Sequence, residues 1–436
     1  MIRLELDAIE ALGLGSLERM GPIHVSGIQV DSRRIEPGDL FVVVGDGARY
    51  VGDARERRAA AVLAPNEAFG ALEAIGRLVR DLSRARFVGI TGSMGKTSTK
   101  DILAALVRPH ARVVAAERSY NNEIGVPLTL CRLEEDTEIC ILELAMRGLG
   151  QIAELAALTR PDVGVITTIA PVHLEKLGSL ARIAEAKAEL LHALPPGGTA
   201  IVPADAADLT PHLTRDDVRV VRVGEGGEVV LRRYEPMGER ARLDADVAGE
   251  HVALQLPFNI RHQTGNVLLA LAAYQALDLP LGRVQDGAGE IAFSLWRGEE
   301  LPLRGGGFLI NDVWNANPLS MRAALGHLVQ RAGDRRRVAV LGEMAELGPG
   351  APAYHAEVGE AAAAAGIDAL LAIGPLALGY LEGAAGRVPG TRHVETLDQA
   401  LSALQEFLEP GDAVLVKGAR ALGLEAIAET LAGAAA

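Results

Sequence analysis

One stretch carries residue types that could handle a phosphate. In Thr91-Gly92-Ser93-Met94-Gly95-Lys96-Thr97-Ser98, two glycines bracket a turn, an ammonium follows at once, and two hydroxyls come next. Glycines let backbone N–H groups close round a phosphate, and a helix beginning at the lysine adds partial positive charge. Lys96 would reach the β- and γ-phosphates of a nucleotide, and the Thr97 hydroxyl would bind Mg2+. Gly92, Ser93, Met94, Gly95, Lys96, Thr97 and Ser98 are therefore the candidate phosphate-binding residues. The strict eight-residue phosphate-loop pattern fails, because its first glycine falls on Ile90, and Gly92 stands in. The competing reading is a glycine-rich turn with a chance lysine, and the context on both sides argues against it.

Other reactive groups fall at the ends of apolar runs. Glu143 closes Ile139-Cys140-Ile141-Leu142, His173 follows Val165-Ile166-Thr167-Thr168-Ile169 by a few residues, and Asn121-Asn122 precede Ile124-Gly125-Val126-Pro127. At the same sheet edge as Thr97, a carboxylate and an imidazole could complete a Mg2+ shell or hold a second metal. A lone histidine in a loop is more often structural. Lys187 is the odd residue. Leu180, Ile183, Leu190, Leu191 and Leu194 form the apolar stripe of a helix at 180–194, and Lys187 falls within it. A lysine there needs a partner or a function, unless its stem snorkels at the edge of the stripe. Burial would lower its pKa, and a neutral amine can add CO2 to become a carbamate, an oxygen ligand suited to Mg2+. Asp31-Ser32-Arg33 groups a carboxylate, a hydroxyl and a guanidinium. They would suit a nucleotide or sugar, but the spacing alone favours turn chemistry with a surface ion pair.

The elements that must position these groups follow from periodicity. Phe87-Val88-Gly89-Ile90 reads as a buried parallel strand, and Asp101, Ile102, Leu103, Leu106 and Val107 mark the helix after the turn. Further strands are expected near Val113 and at 139–144, 163–168 and 200–202. Such alternation means a mostly parallel sheet with ligands at the carboxyl ends of its strands. Before it, strands at 37–44 and 59–63 and a helix at 66–83 make a small α/β domain. Glycine and charge cluster at Arg297-Gly298-Glu299-Glu300 and Arg304-Gly305-Gly306-Gly307, a domain boundary. Beyond it, strands at 308–312, 337–341, 369–373 and 413–416 alternate with Ala-rich helices, as in a second doubly wound sheet. The expected class is α/β with three domains: a small N-terminal α/β domain at 1–84, a central P-loop NTPase-like parallel sheet at 85–297, and a C-terminal Rossmann-like domain at 298–436.

Composition sets limits. The 436 residues suit about three domains at roughly 150 residues each. Apolar residues make up 49% but aromatics only 3%, so Leu, Val, Ile and Ala must do the packing. A net charge of −14 argues against nucleic-acid or anionic-membrane partners. The two cysteines, Cys131 and Cys140, have neither metal-like spacing nor a disulfide framework, as in a cytoplasmic protein. The charged start Met1-Ile2-Arg3-Leu4-Glu5 is not that of a signal peptide, and no apolar run of about 18 residues suggests stable membrane insertion.

Assembled, these stretches resemble the ATP-dependent Mur ligases of peptidoglycan precursor synthesis over essentially the whole chain. The loop 91–97 is similar to that family's, including its departure from the strict pattern. Asn121-Asn122-Glu123-Ile124-Gly125-Val126-Pro127, Glu143, His173-Leu174-Glu175 and Ala186-Lys187-Ala188-Glu189 follow in family order. Asn315-Ala316-Asn317-Pro318 and Leu341-Gly342-Glu343-Met344-Ala345-Glu346-Leu347-Gly348 resemble the member that acts on UDP-N-acetylmuramoyl-tripeptide and D-alanyl-D-alanine. Val416-Lys417-Gly418-Ala419-Arg420 resembles the closing motif, and residues 31–41 resemble a uridine-binding domain. There are departures. Asn311 and Trp314 replace an Asp and a Tyr, Gln263 an Asn, Ala419 a Ser and Ala145 a Gly, and an Asp-Gly-His near 46–52 is missing.

The resemblance implies a cytoplasmic, monomeric ligase using ATP and Mg2+ to form an amide through an acyl phosphate. Lys96, Lys187, His173 and Glu143 would be catalytic, with Thr97, Glu143, His173 and a carbamylated Lys187 as metal ligands. Asn266 would meet adenine. Asp312, Asn315, Lys417 and Arg420 would also serve the nucleotide, brought by a C-terminal domain that closes over it. Asp31, Ser32, Arg33, Asn121 and Asn122 would serve the UDP-linked substrate. Two rivals are a related ligase, folylpolyglutamate synthetase-like or acting on another Mur substrate, disfavoured by the two C-terminal stretches, and a non-catalytic P-loop paralogue, disfavoured by Glu143, His173 and Lys187 together.

Overall fold

A computed structural model describes residues 1–432; the last four of the expected C-terminal domain lie outside the described residues. The chain forms two compact units. The first takes Met1–Thr168, Glu185–Phe258 and Gly265–Ala292, and the second takes Ile169–Ala184, Asn259–Thr264 and the chain from Phe293 onward.

The first unit is built on a nine-stranded sheet. Its order is Glu250–Leu256, Arg240–Val247, Val229–Met237, Arg219–Val223, Thr199–Pro203, Val163–Ile166, Arg86–Thr91, Ile139–Glu143, Val113–Ala115. The last six strands run parallel, and the apolar runs of the four at 86–91, 139–143, 163–166 and 199–203 are buried on both faces, as a sheet covered by helices requires. Gly89 and Gly164 are register partners on neighbouring strands. A Cβ on Gly89 would lie 3.1 Å from Leu190 Cδ1, and one on Gly164 would lie 3.2 Å from Leu190 Cγ. The paired glycines thus form a shallow seat for Leu190, which sets the helix Leu180–His192, and Lys187 with it, down against the sheet.

The three strands from Val229 to Leu256 were not expected. They join as an antiparallel meander, with residues alternating between buried and exposed along Glu250–Leu256. Residues before Arg86 form a four-stranded sheet in the order Gly15–Arg19, Ala61–Pro65, Asp39–Val42, Gly27–Gln29, and the helix Ala68–Leu82 then leads to the central strand.

The second unit carries a six-stranded sheet in the order Glu299–Pro302, Phe308–Asp312, Ala413–Lys417, Arg337–Gly342, Ala369–Ile373, Gly390–Val394. Only its first edge strand is antiparallel. The two strands at 299–302 and 390–394 add to the four expected. Asn317 caps the helix Pro318–Ala332 through a reciprocal capping box with Ser320. The class is α/β with several sheets, as expected from the alternation. No helix among the described residues is long and apolar enough to cross a membrane.

The helix Lys96–Val107 is held from behind by Gly287. A Cβ there would overlap the Ala105 carbonyl oxygen and lie 2.7 Å from Leu106 Cα. Gly287→Ala should therefore cost about 1–3 kcal/mol, seen as a lower urea midpoint; an unchanged midpoint would mean this contact does not set the helix.

Candidate active site

The phosphate loop is shaped by two glycines that no other residue could replace without rearrangement. Gly92 has φ +147°, and a Cβ there would overlap Thr167 Oγ1. Gly95 has φ +83°, caps the helix Lys96–Val107, and would overlap Asn266 Oδ1. The loop is pinned to the end of the neighbouring strand: Ser93 N donates to Thr168 O at 2.9 Å and Met94 N to Thr168 Oγ1 at 3.1 Å. Lys96 curls back over it, with Nζ donating to Gly92 O at 2.8 Å. An ammonium and a helix N-terminus thus meet at one spot, an arrangement that attracts a phosphate.

The Thr97 hydroxyl donates to Glu143 Oε2 at 2.8 Å, and Asn121 Nδ2 donates to Glu143 Oε1 at 2.7 Å. Glu143 is only 1% exposed. A hydroxyl and a buried carboxylate are hard oxygen donors, so the residues present fit Mg2+. Among the described residues, no three His, Cys, Asp or Glu side chains cluster in a way that could hold a metal. A divalent ion here would need further oxygens from phosphate, water or a modified side chain.

Lys187 is 2% exposed. Burial holds its ammonium well below the ordinary lysine range, and the nearby Lys96 charge pushes the same way. Its neighbour along the helix, Glu189, is engaged elsewhere, accepting from Gly150 N at 2.6 Å and Ala153 N at 3.0 Å. Both effects shift Lys187 toward its neutral amine, as its place in the apolar stripe suggests. Neither cysteine offers a nucleophile, because burial pushes both thiols up to about 12.

The other expected residues of the first unit have clear local roles. Asn266 Oδ1 accepts from Thr99 Oγ1 at 3.3 Å and lies against the phosphate loop. Asn122 Oδ1 accepts from Gly125 N at 3.0 Å. Asp31 accepts from Arg33 Nε at 2.9 Å and Arg33 Nη2 at 2.8 Å, which holds its carboxyl at about 2. Ser32 Oγ donates to Asp53 Oδ2 at 3.3 Å. The triplet therefore makes the turn and ion pair that its spacing favoured.

In the second unit, Asp312 and Lys417 end adjacent parallel strands as register partners. Lys417 Nζ donates to Asp312 Oδ2 at 2.6 Å and to Asn315 O at 2.9 Å. Arg420 pairs with Glu425 and lies 4.7 Å over the Trp296 ring, which stacks on Trp314 at 5.9 Å. His173, at φ +54°, caps the short helix Leu174–Leu177, and its Nδ1 meets Glu346. Glu346 went unrecognised as a partner because its stretch read only as a family mark. Lys100 went unrecognised too, although it lies one turn after Lys96 and is equally a lysine.

Taken together, the fold and the loop define a nucleotide-binding α/β protein of the P-loop class. Residues 90–274 match the Mur ligase middle domain, and residues 297–420 match the domain described as Mur ligase, glutamate ligase domain. The chain belongs to the Mur ligase family. It is 36% identical to the UDP-N-acetylmuramoyl-tripeptide–D-alanyl-D-alanine ligase of a Synechocystis species, over 94% of this chain and 92% of that protein. Its fold is similar to MurF from Acinetobacter baumannii, with a TM-score of 0.85, 25% identity and 99% of both chains covered. It is also similar to the MurF ligase of Thermotoga maritima solved with ADP, with a TM-score of 0.78, 24% identity, and 94% of this chain and 97% of that one covered.

The neutral amine of Lys187 has a consequence for stability. Between its depressed folded value and about pH 10.4 the unfolded chain binds more protons there than the folded chain, so stability rises as pH rises through that window. In CO2-free buffer, Lys187→Met should flatten that rise between about pH 7 and pH 9 and melt higher than the parent at neutral pH. Identical melting curves across that range would show Lys187 charged in the folded state.

Proposed function

We propose that the protein joins D-alanyl-D-alanine to UDP-N-acetylmuramoyl-tripeptide, with cleavage of ATP to ADP and phosphate, in the cytoplasm. The observation that carries this reading is the set Lys96, Thr97, Glu143 and Lys187, in a chain similar over 94% of its length to a relative of that name. A carboxylate oxygen of the tripeptide attacks the γ-phosphorus. The bond from that phosphorus to the β,γ-bridging oxygen breaks, ADP leaves, and an acyl phosphate forms. The amine of D-alanyl-D-alanine then attacks the acyl carbon, loses a proton, and expels phosphate to leave an amide.

The chain's part is positioning and charge neutralisation. Lys96 exchanges the Gly92 carbonyl for the β- and γ-phosphates, while the loop N–H groups and the helix end hold the phosphate chain. Thr97, Glu143 and a carbamylated Lys187 would hold Mg2+, which supplies charge neutralisation at the phosphates when bound. Carbamylation adds CO2 to the neutral amine with loss of one proton, turning an isolated nitrogen into an oxygen donor. Asn266 faces the adenosine, Asp31, Ser32, Arg33 and Asn122 serve the UDP-linked substrate, and Asp312, Asn315, Lys417 and Arg420 contribute to turnover.

The direct test is incubation with ATP, Mg2+, D-alanyl-D-alanine and each UDP-muramyl tripeptide, with phosphate and the pentapeptide product followed by mass spectrometry. Lys96→Ala should lower ligation by at least about 100-fold while the protein stays folded; a near-parental rate would sink the phosphate-loop role. Lys187→Ala should be inactive and partly restored by short carboxylic acids. Lys187→Arg places a permanent cation there and cannot form the carbamate, so an active Lys187→Arg enzyme would rule the carbamate out.

A further inference from the structure

The segment of residues 116–121 touches three parts of the first unit at once. Beneath it, the 2%-exposed Lys100 donates through Nζ to Ala116 O at 2.7 Å and Arg118 O at 2.9 Å. A buried ammonium between two carbonyls fixes the floor of the loop. At its far end, Asn121 Nδ2 donates to Glu143 Oε1, and Asn121 O accepts from Ala145 N at 2.9 Å, so the loop is strapped to the strand that carries the carboxylate. From the side, Arg34 reaches in from the turn Ser32–Arg34. Its Nη1 donates to Tyr120 Oη at 3.1 Å, and its Nη2 donates to Glu117 Oε2 at 3.0 Å. Arg132 steadies the same carboxylate, with Nη1 at 3.5 Å from Glu117 Oε1.

We propose that Arg34 and Glu117 are positioning residues for Glu143, acting through the loop and Asn121. This rests on the reading that Glu143 holds the divalent ion. Arg34 stands next to Asp31-Ser32-Arg33, 86 residues in sequence from Tyr120, so it has no local reason to meet this loop. Its guanidinium fixes Glu117 and Tyr120 together, which fixes the direction from which Asn121 approaches the carboxylate. A metal-bound carboxylate keeps its orientation through such outer hydrogen bonds. Without the Arg34–Glu117 link, the backbone strap and Lys100 hold Asn121 less tightly, and Glu143 would sample orientations unsuited to the ion.

The test uses Mn2+ titrated into the full-length protein with a non-hydrolysable ATP analogue, free Mn2+ being read by electron paramagnetic resonance. Arg34 is 46% exposed, so its replacement should leave the fold intact. Arg34→Gln and Glu117→Gln should each weaken Mn2+ binding by about 10-fold, with unchanged unfolding midpoints. The double variant should lose less than the two single losses combined, because the substitutions share the Arg34–Glu117 link. Glu143→Gln should weaken binding at least as much. If Glu143→Gln binds Mn2+ like the parent, the metal reading falls and the proposal with it. If Glu143→Gln loses binding while Arg34→Gln and Glu117→Gln do not, or if their losses add in the double variant, the positioning role alone is overturned.

Discussion

A carboxylate folded into the end of a central strand must be satisfied where it stands. Glu143 has given up nearly all its water, and an unpaired anion in such a place would cost about 3–5 kcal/mol. Its two oxygens instead take one hydrogen from Thr97 and one from Asn121. Those two bonds tie the first turn of the helix Lys96–Val107, the strand Ile139–Glu143 and the segment ahead of the helix Gly125–Leu130 into one place. The glycines of the phosphate loop then have little latitude. The loop must leave its strand at Thr91, cross the end of the next one and deliver Thr97 to the carboxylate with only the five residues 92–96 between. The positive φ at Gly92 and Gly95 is the backbone solution to that requirement.

The rest of the framework follows from a shortage of aromatic side chains. With few large rings to fill space, elements come together by close approach of backbones. Gly89 and Gly164 receive Leu190, and that contact carries a lysine into the interior of the first unit. In the second unit, Gly359 in the helix Ala351–Ala364 faces the Tyr380 carbonyl of the helix Leu378–Ala384, and Gly383 faces that of Ala356. Such contacts tolerate no added atom, so they fix helix positions as firmly as interlocking side chains would.

What the sequence disclosed and what it hid divide along the same physical line. The strand, turn and helix round Gly92–Lys96 are spelled by local apolar runs and glycines, and they fall where expected. So do the strands Phe308–Asp312 and Ala369–Ile373, whose apolar runs are continuous because both faces are covered. The meander Val229–Leu256 was hidden because its exposed positions carry Arg232, Arg233, Arg240 and Arg242, which mask the alternation in short windows. Lys187 stood out because it interrupts an apolar stripe. Lys100 did not, because next to Asp101 it reads as an ordinary charged pair, and the carbonyls of Ala116 and Arg118 that it also meets come from a loop only the fold brings over it. Asn121 could be recognised as important, but not as the partner of Glu143, since that pairing is a contact across strands. The Arg34 link to Tyr120 has no local signature at all.

The stacked pair Trp296 and Trp314 gives the molecule an optical asymmetry. They are the chain's only two tryptophans, and both belong to the second unit. Indole emission excited at the red edge therefore comes from that unit alone, where the guanidinium of Arg420 lies over the Trp296 ring. The rings lie 20° from parallel, close enough to couple as excitons and to mark near-ultraviolet circular dichroism with a signal of their own. The first unit, which holds the phosphate loop, is dark at those wavelengths. A single tryptophan introduced there would report on it without interference from any neighbour of its own kind in that unit.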